Sequence, residues 1–266
     1  MGMHHSSPYP SSLTDDQWEE IQSRLPSRPG GGRPPLHQHR DILNAIFYLL
    51  RTGGAWRFLP HDFAPWQTVY GYFRRWRQQG VWKKIHDHLV KRVRVAAGKK
   101  PTPSAGILDS QSVRCTDQTG ERGYDAGKKI KGRKRHVLVD TLGLILAVTI
   151  TAASVQDRDG ARALLPWLRH HASRLRVIWA DGGYAGALVS WVWRLRAQRR
   201  VRLEIVKRSE QQRGFAVLPK RWIVERTLGW LMKNRRLRCD YEQLPATSET
   251  LIYVAMIRLM LRRLHP

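Results

Sequence analysis

The chain has 266 residues, 42% of them hydrophobic and 11 of them Trp, enough to build one or two folded domains and too much to be a disordered basic tail. Its 47 Lys and Arg against 21 acids give a formal charge of +26, which calls for a polyanionic partner, nucleic acid first and an acidic membrane surface second. No apolar run reaches the eighteen or so residues of a membrane span, the opening MGMHHSSPYP lacks the apolar centre of a secretory signal, and Cys115 and Cys239 alone make neither a disulfide framework nor a zinc finger, which suits a reducing cytoplasm.

Residues 1–12 read as an unstructured lead. Thr14 is then an N-cap with Gln17 at the third helical position, and Leu13 can staple onto Trp18, so a helix is predicted over 14–25. Pro26 to Pro35 breaks it. The glycines in that breaker have neither a preceding strand nor the Lys-Ser/Thr ending of a nucleotide loop, so phosphate cradling is rejected there. Ile42, Leu43, Ile46, Phe47, Leu49 and Leu50 recur at helical spacing up to Gly53 and Gly54. After a connector with Trp56, Phe58 and Pro60, two further helices are predicted over 66–79 and 81–97, apolar on one side and studded with Arg and Lys on the other. This is a small all-helical domain over 1–97. Laid in a DNA groove, its 66–79 helix would bring Gln67, Thr68, Arg74 or Arg75 to the duplex; the plainer account is a helical bundle whose cations face water and whose Trp76 and Trp82 are core.

Residues 98–106, GKKPTPSAG, form a linker, and the period then changes to that of an α/β domain over 107–266. Five strands are predicted: 107–113, 136–140, 144–151, 177–180 and 201–206, with Asp140 and Gly143 turning a hairpin. Helices are expected over 158–171, 185–200 and from Pro219 onward, and a closing helix carries Leu251, Val254, Ile257 and Leu261. Between the first two strands, GKKIKGRKRH at 127–136 reads as a basic segment for phosphate contact through Lys128, Lys129, Lys131, Arg133, Lys134 and Arg135.

Against this basic background three acids stand out. Asp109 lies in the strand ILDSQSV, Asp181 closes the strand RVIWAD before two glycines that permit a tight exit, and Glu225 lies on the helix after Pro219. At 100° per residue Glu225 falls opposite Ile223, Val224, Thr227, Trp230 and Leu231, on the side of Arg221, Met232 and Arg236. It is either an exposed partner of Arg221, worth roughly 0.2–0.5 kcal/mol, or a metal ligand, and the two strand-end aspartates tilt the balance toward metal. Asp140, Asp157 and Asp159 read as turn and helix-start residues, and Asp117, Glu121 and Asp125 as loop residues; each is a secondary candidate ligand. Three carboxylates would suit hydrolysis of a phosphodiester, whose attacking and leaving oxygens need two hard cations about 3.5–4 Å apart held by oxygen ligands.

The blocks ILDSQSVR (107–114), DAGKKIKGRKRHVLVDTLGLI (125–145), SVQDRDGA (154–161), WADGGYAG (179–186) and RWIVERTLGWLMKNRRL (221–237), with LTDDQWEEIQSRLP (13–26) and residues 31–60 ahead of them, resemble the bacterial insertion-sequence transposases of the DDE superfamily. The resemblance covers nearly the whole chain. It implies a ribonuclease H-like core, a mixed five-stranded sheet flanked by helices behind a helical DNA-end-binding domain, and a metal triad of Asp109, Asp181 and Glu225 holding two Mg²⁺, with Mn²⁺ able to substitute. It further implies cleavage at the inverted-repeat ends of a mobile element, joining of the freed 3′-OH to target double-stranded DNA, a homo-oligomer assembled on DNA, and a place in the cytoplasm on the nucleoid. Related helices carry an Arg four residues before the Glu, as Arg221 is here, and a basic residue seven after it. This chain has Met232 at that place, leaving Lys233 or Arg236 for DNA, and it has Leu218 where a fuller motif has Tyr. Two other functions compete: a catalytically silent DNA-binding repressor and a stand-alone metal-dependent nuclease.

Overall fold

The computed structural model describes residues 9–26, 36–117, 120–171, 173–195, 201–206 and 220–266. Four helices come first: α1 (Asp15–Gln22), α2 (His39–Thr52), α3 (Trp66–Gln78) and α4 (Val81–Ala96). The capping box at the start of α1 is formed, with the Thr14 hydroxyl accepting from the Gln17 amide at 3.3 Å. Gly53 ends α2 in the left-handed region, φ 82°. Residues 1–8 of the expected lead lie outside the described residues; from residue 9 on it is anchored, since Tyr9 stacks on Phe63 and its hydroxyl donates to Asp62 at 2.8 Å. Leu218 and the last residues expected of the 185–200 helix lie outside the described residues.

The rest is a mixed sheet with helices on both faces. Its strands are β1 (Ala105–Arg114), β2 (Gly123–Asp125), β3 (Ile130–Asp140), β4 (Ile145–Ala152), β5 (Val177–Ala180) and β6 (Arg202–Ile205). β3 pairs antiparallel with β1 on one side and with β4 and β2 on the other; β1, β5 and β6 run parallel. This is a ribonuclease H-like fold, with β2 as a sixth strand beyond the five expected. Around it lie α5 (Asp157–Leu164), α6 (Leu168–His171), α7 (Ala187–Arg194), α8 (Trp222–Met232) and α9 (Pro245–Leu264).

Two contacts decide where the later helices sit. At the β3–β4 turn, Asp140 accepts the Leu142 and Leu144 amides at 2.9 and 2.8 Å, and Gly143 takes φ 80°. Thr227 of α8 donates to the Gly143 carbonyl at 2.8 Å, and a Cβ on Gly143 would stand 2.6 Å from that hydroxyl, so the hairpin tip is a close-fitting seat for α8. α9 packs on β4 and also on α1, α2 and α4. The buried apolar cluster therefore runs without interruption from the N-terminal helices into the sheet.

Basic residues of β3 depart from their expected place. Only 127–129 of segment 127–136 is a turn: Ile130–Asp140 is the strand between β1 and β4, and from Arg133 onward it carries its cations inward. Arg133 is fully buried, donating to the Glu242 and Gln243 carbonyls at 2.8 Å and facing Asp240 at 3.4 Å. Lys134 reaches the other way to Asp157 at 3.1 Å and Asp125 at 3.4 Å. Arg135 is buried beside Gln111, 3.2 Å away. Arg236, set down as a DNA contact, is likewise buried, bound to Glu242 at 2.7 Å and to the Gly54 carbonyl. These four cations are therefore turned into the fold, Arg133, Lys134 and Arg236 toward acids and carbonyls and Arg135 toward Gln111.

Candidate active site

β1 and β5 lie side by side and run the same way, with Ile107 beside Trp179. Asp109 lies two residues further along β1 and Asp181 directly follows the end of β5, near enough for the Asp181 charge to act on Asp109. β5 stops at Ala180, and Asp181 turns the chain by accepting the Gly183 amide at 2.8 Å. Asp109 accepts the Ser110 amide at 2.7 Å.

Glu225 arrives on α8. Its side chain is 60% exposed, consistent with a place off the core face, while Ile223, Val224, Thr227, Leu228 and Leu231 are buried. Arg221, one turn earlier, joins the acids: its Nη2 stands 3.5 Å from Asp181 and 4.0 Å from Glu225. A guanidinium thus lies across two of the three carboxylates.

Asp109 is perturbed by its surroundings. Burial pushes its pKa up to about 6; the Ser110 amide opposes that rise, the Asp181 charge adds to it, and Arg221 and Lys128 draw it partly back. An acid so placed gains from any added positive charge, and its hard oxygens suit a divalent cation. The donor set of Asp109 and Asp181 fits such an ion. Among the described residues, however, no three His, Cys, Asp or Glu side chains stand close enough together to hold a metal as they are.

Behind the aspartates lies a second layer that the sequence alone does not assign. The Ser110 hydroxyl donates to Asp157 at 2.8 Å, and Lys128 donates to the Ser110 carbonyl at 3.3 Å. Ser112 donates to Asp125 at 2.6 Å. Burial works to raise the Asp125 pKa, but that hydrogen bond, the Lys128 amide and the Lys134 charge bring it down to about 2. A Cβ on Gly183 would lie 3.0 Å from Asp181 Oδ1 and 4.0 Å from Asp157 Oδ2, so Asp157 faces the same spot as Asp181. Tyr184 is buried among these groups, its hydroxyl near Ser110 but, among the described residues, without a partner in good hydrogen-bond geometry. Its pKa is raised well above 10, by burial and then by Asp109 and Asp157. In the sequence this layer is signalled by Asp125 and Asp157 as secondary candidates, by Lys128 in the basic segment and by the Tyr after DGG.

The remaining sequence candidates are dispersed. Lys128, Lys129 and Lys131 are exposed at the turn into β3, Arg74 and Arg75 are exposed on α3, and Lys233 is exposed just past α8.

With this geometry in view, comparison with known proteins is decisive. A family model described as transposase DDE domain matches residues 100–260, more than half of the chain. The chain belongs to the DDE transposase family. A second model, described as "Putative transposase of IS4/5 family", matches residues 13–86 of this DDE-family chain. Among similar proteins, "Uncharacterized protein y4sN" of Sinorhizobium fredii is 38% identical over 26% of the chain and 55% of its own length. The "Putative transposase for insertion sequence element IS402" of Burkholderia cepacia is 33% identical over 42% of the chain and 54% of its own length. "Insertion element IS402 uncharacterized 16.2 kDa protein", also of Burkholderia cepacia, is 30% identical over 38% of the chain and 72% of its own length. The chain thus spans about half the length of the first two relatives. No solved structure matches it at a significant level. No helix among the described residues is long and apolar enough to cross a membrane.

Proposed function

We propose that this chain is a transposase that cleaves phosphodiesters at the inverted-repeat ends of a mobile element and joins the freed 3′-OH ends to target DNA. The observation that carries this reading is that Asp109 on β1 and Asp181 just past the end of neighbouring β5 act on each other electrostatically, with Arg221 linking Asp181 to Glu225. The printed name of the Burkholderia cepacia relative points the same way.

Asp109, Asp181 and Glu225 would hold two divalent ions, Mg²⁺ with Mn²⁺ able to substitute. Ions so held supply Lewis-acid activation of an attacking oxygen and charge stabilisation of a leaving one. The chain's own part is positioning. Ser110 and Gly183 amides fix one oxygen of each aspartate, and the Gly143 seat fixes the helix that carries Glu225. Arg221 can exchange the two acids for a DNA phosphate as metal enters, because its fork suits a phosphate as well as a carboxylate. Lys128, Lys129, Lys131 and Lys233, all exposed, would bind the DNA backbone, with Arg74 and Arg75 of α3 contacting the element end.

The test is incubation of the purified chain with its flanking element-end DNA and Mg²⁺ or Mn²⁺, scoring nicked and joined products beside Asp181→Ala. Equal product from both proteins ends the catalytic reading. Cleavage without end preference or joining would instead assign a stand-alone nuclease.

A catalytically silent DNA-binding protein is the second reading, favoured by Arg221 lying across Asp181 and Glu225. Equilibrium Mn²⁺ binding separates the two. Saturable binding that disappears in Asp109→Ala supports the transposase, and binding of duplex without any binding of Mn²⁺ supports the silent protein.

A further inference from the structure

Many of the cations on this molecule are answered by acids, as Arg40 is by Asp15 and Arg92 by Glu20. One groove is built differently. Where the C-terminal ends of α2 and α8 meet the second half of α9, a cavity of about 500 Å³ is lined by Arg51, Lys233, Arg258, Arg262 and Arg263 with Trp230, and among the described residues no Asp or Glu lines it. The cations are positioned by neutral oxygens. Arg51 Nη1 donates to the Lys233 carbonyl, and Arg258 Nη2 donates to the Pro10 carbonyl at 3.2 Å. Among the described residues, none of Arg51, Lys233, Arg258 and Arg262 is paired with a carboxylate.

Converging like charges in a concavity is unfavourable unless an anion completes it. The strain of that arrangement shows on half-buried Arg258, whose pKa is pushed down to about 10 by burial and then by Arg262 and Arg51. Guanidinium forks match phosphate oxygens bidentately, which selects phosphate over a simple halide. The groove is also longer than one phosphate. Trp230 and Arg263 line a neighbouring cavity of about 370 Å³ together with Arg226, again without an acid among the described residues.

We infer that this groove seats the sugar-phosphate backbone of a DNA duplex, as a contact separate from the carboxylate site. The inference rests on the DNA-acting reading above and adds where a second stretch of backbone lies. Lys233 follows Glu225 by eight residues along α8, about 12 Å of rise, or about three to four base-pair steps. Backbone crossing the acids can therefore continue into the groove.

The experiment measures binding of the full chain to a labelled duplex in chelator, so that no strand is cut, as salt is raised. Arg258→Gln with Arg262→Gln is expected to weaken binding to all duplex sequences alike and to flatten the plot of log affinity against log salt by about 0.9 for each phosphate that is no longer neutralised. Arg162→Gln with Arg202→Gln removes the same charge from surface cations that already face Asp159 and Glu204, and is expected to keep the wild-type slope. Arg51→Gln with Arg262→Gln spares half-buried Arg258 and repeats the measurement should the first variant fail to fold. A groove-variant slope equal to that of wild type, or no flatter than that of the control, overturns the inference. If the wild-type chain binds no duplex at all, the DNA-acting reading itself has failed; wild-type binding with an unchanged groove-variant slope sinks the groove alone.

Discussion

Asp109 is held by the fold at a cost, and its sign can be worked out. The unfolded chain ionises this acid near the ordinary aspartate value of about 3.9, whereas the fold holds it at about 6. A raised carboxyl pKa means that its contribution to stability is fully present below about pH 4 and is lost as pH rises through 6. Asp109→Asn keeps the shape without the charge, so in chelator it should stabilise the chain by about 1–3 kcal/mol near pH 7 and leave it unchanged near pH 4. Thermal melts at the two pH values check this, and a variant no more stable than wild type near neutrality would deny that Asp109 is held against its charge. Gly160 sets a second residue-scale constraint. A Cβ there would lie 2.0 Å from the ring of His136, which is buried and bonded to Thr151 at 3.0 Å. Gly160→Ala should therefore cost about 1–3 kcal/mol by overpacking, read as a lower denaturant midpoint.

At the scale of elements, the difference between legible and illegible parts is a matter of where the partners are. α3 is predicted over 66–79 and found over Trp66–Gln78, because Val69, Phe73 and Trp76 recur at helical spacing and Gly80 stops the run. The strand Val177–Ala180 is found where its apolar run and the following Asp-Gly-Gly place it. Only the second half of β3, 136–140, is legible in the sequence, because six cations in ten residues read as a basic segment for phosphate contact. What makes it a buried strand is supplied from far along the chain: Asp240 and the 242–243 carbonyls for Arg133, Asp157 for Lys134. Of the site, the types of Asp109, Asp181 and Glu225 are visible in the sequence. The nearness of the aspartates needs the β1–β5 pairing, and the bridge through Arg221 needs the α8 seat. The same logic gives the third prediction. Asp240→Ala removes the acid facing fully buried Arg133 and the acceptor of Ser248 at 2.8 Å, and should cost about 3–5 kcal/mol. Asp240→Asn, which keeps one oxygen acceptor, should cost less, and equal denaturation curves for the two variants would deny that the charge matters.

At the scale of the molecule, α9 makes the helical region and the sheet depend on each other. Ile252, Val254, Met256, Ile257, Met260 and Leu261 are all fully buried, which one covering layer alone cannot achieve for a helix. The sheet covers it through β4 and the N-terminal helices cover it through α1, α2 and α4. Polar ties cross the same junction: Gln17 donates to the His265 carbonyl at 2.9 Å, Arg77 bonds Thr247, and Arg236 bonds the Gly54 carbonyl. The linker at 98–106 therefore divides the sequence by composition while the core passes beneath it. Uncovering a buried aliphatic side chain costs about 1.5–3 kcal/mol, and a whole domain is stable by about 5–15 kcal/mol, so exposing several residues of α9 consumes most of the margin. A fragment of residues 98–266 should consequently lose its cooperative melt and bind a hydrophobic dye, whereas the full chain unfolds in one transition with helix and sheet signals coincident. A cooperative melt from the fragment, or two separated transitions in the full chain, would mean that the carboxylate domain stands without the helices that cover α9.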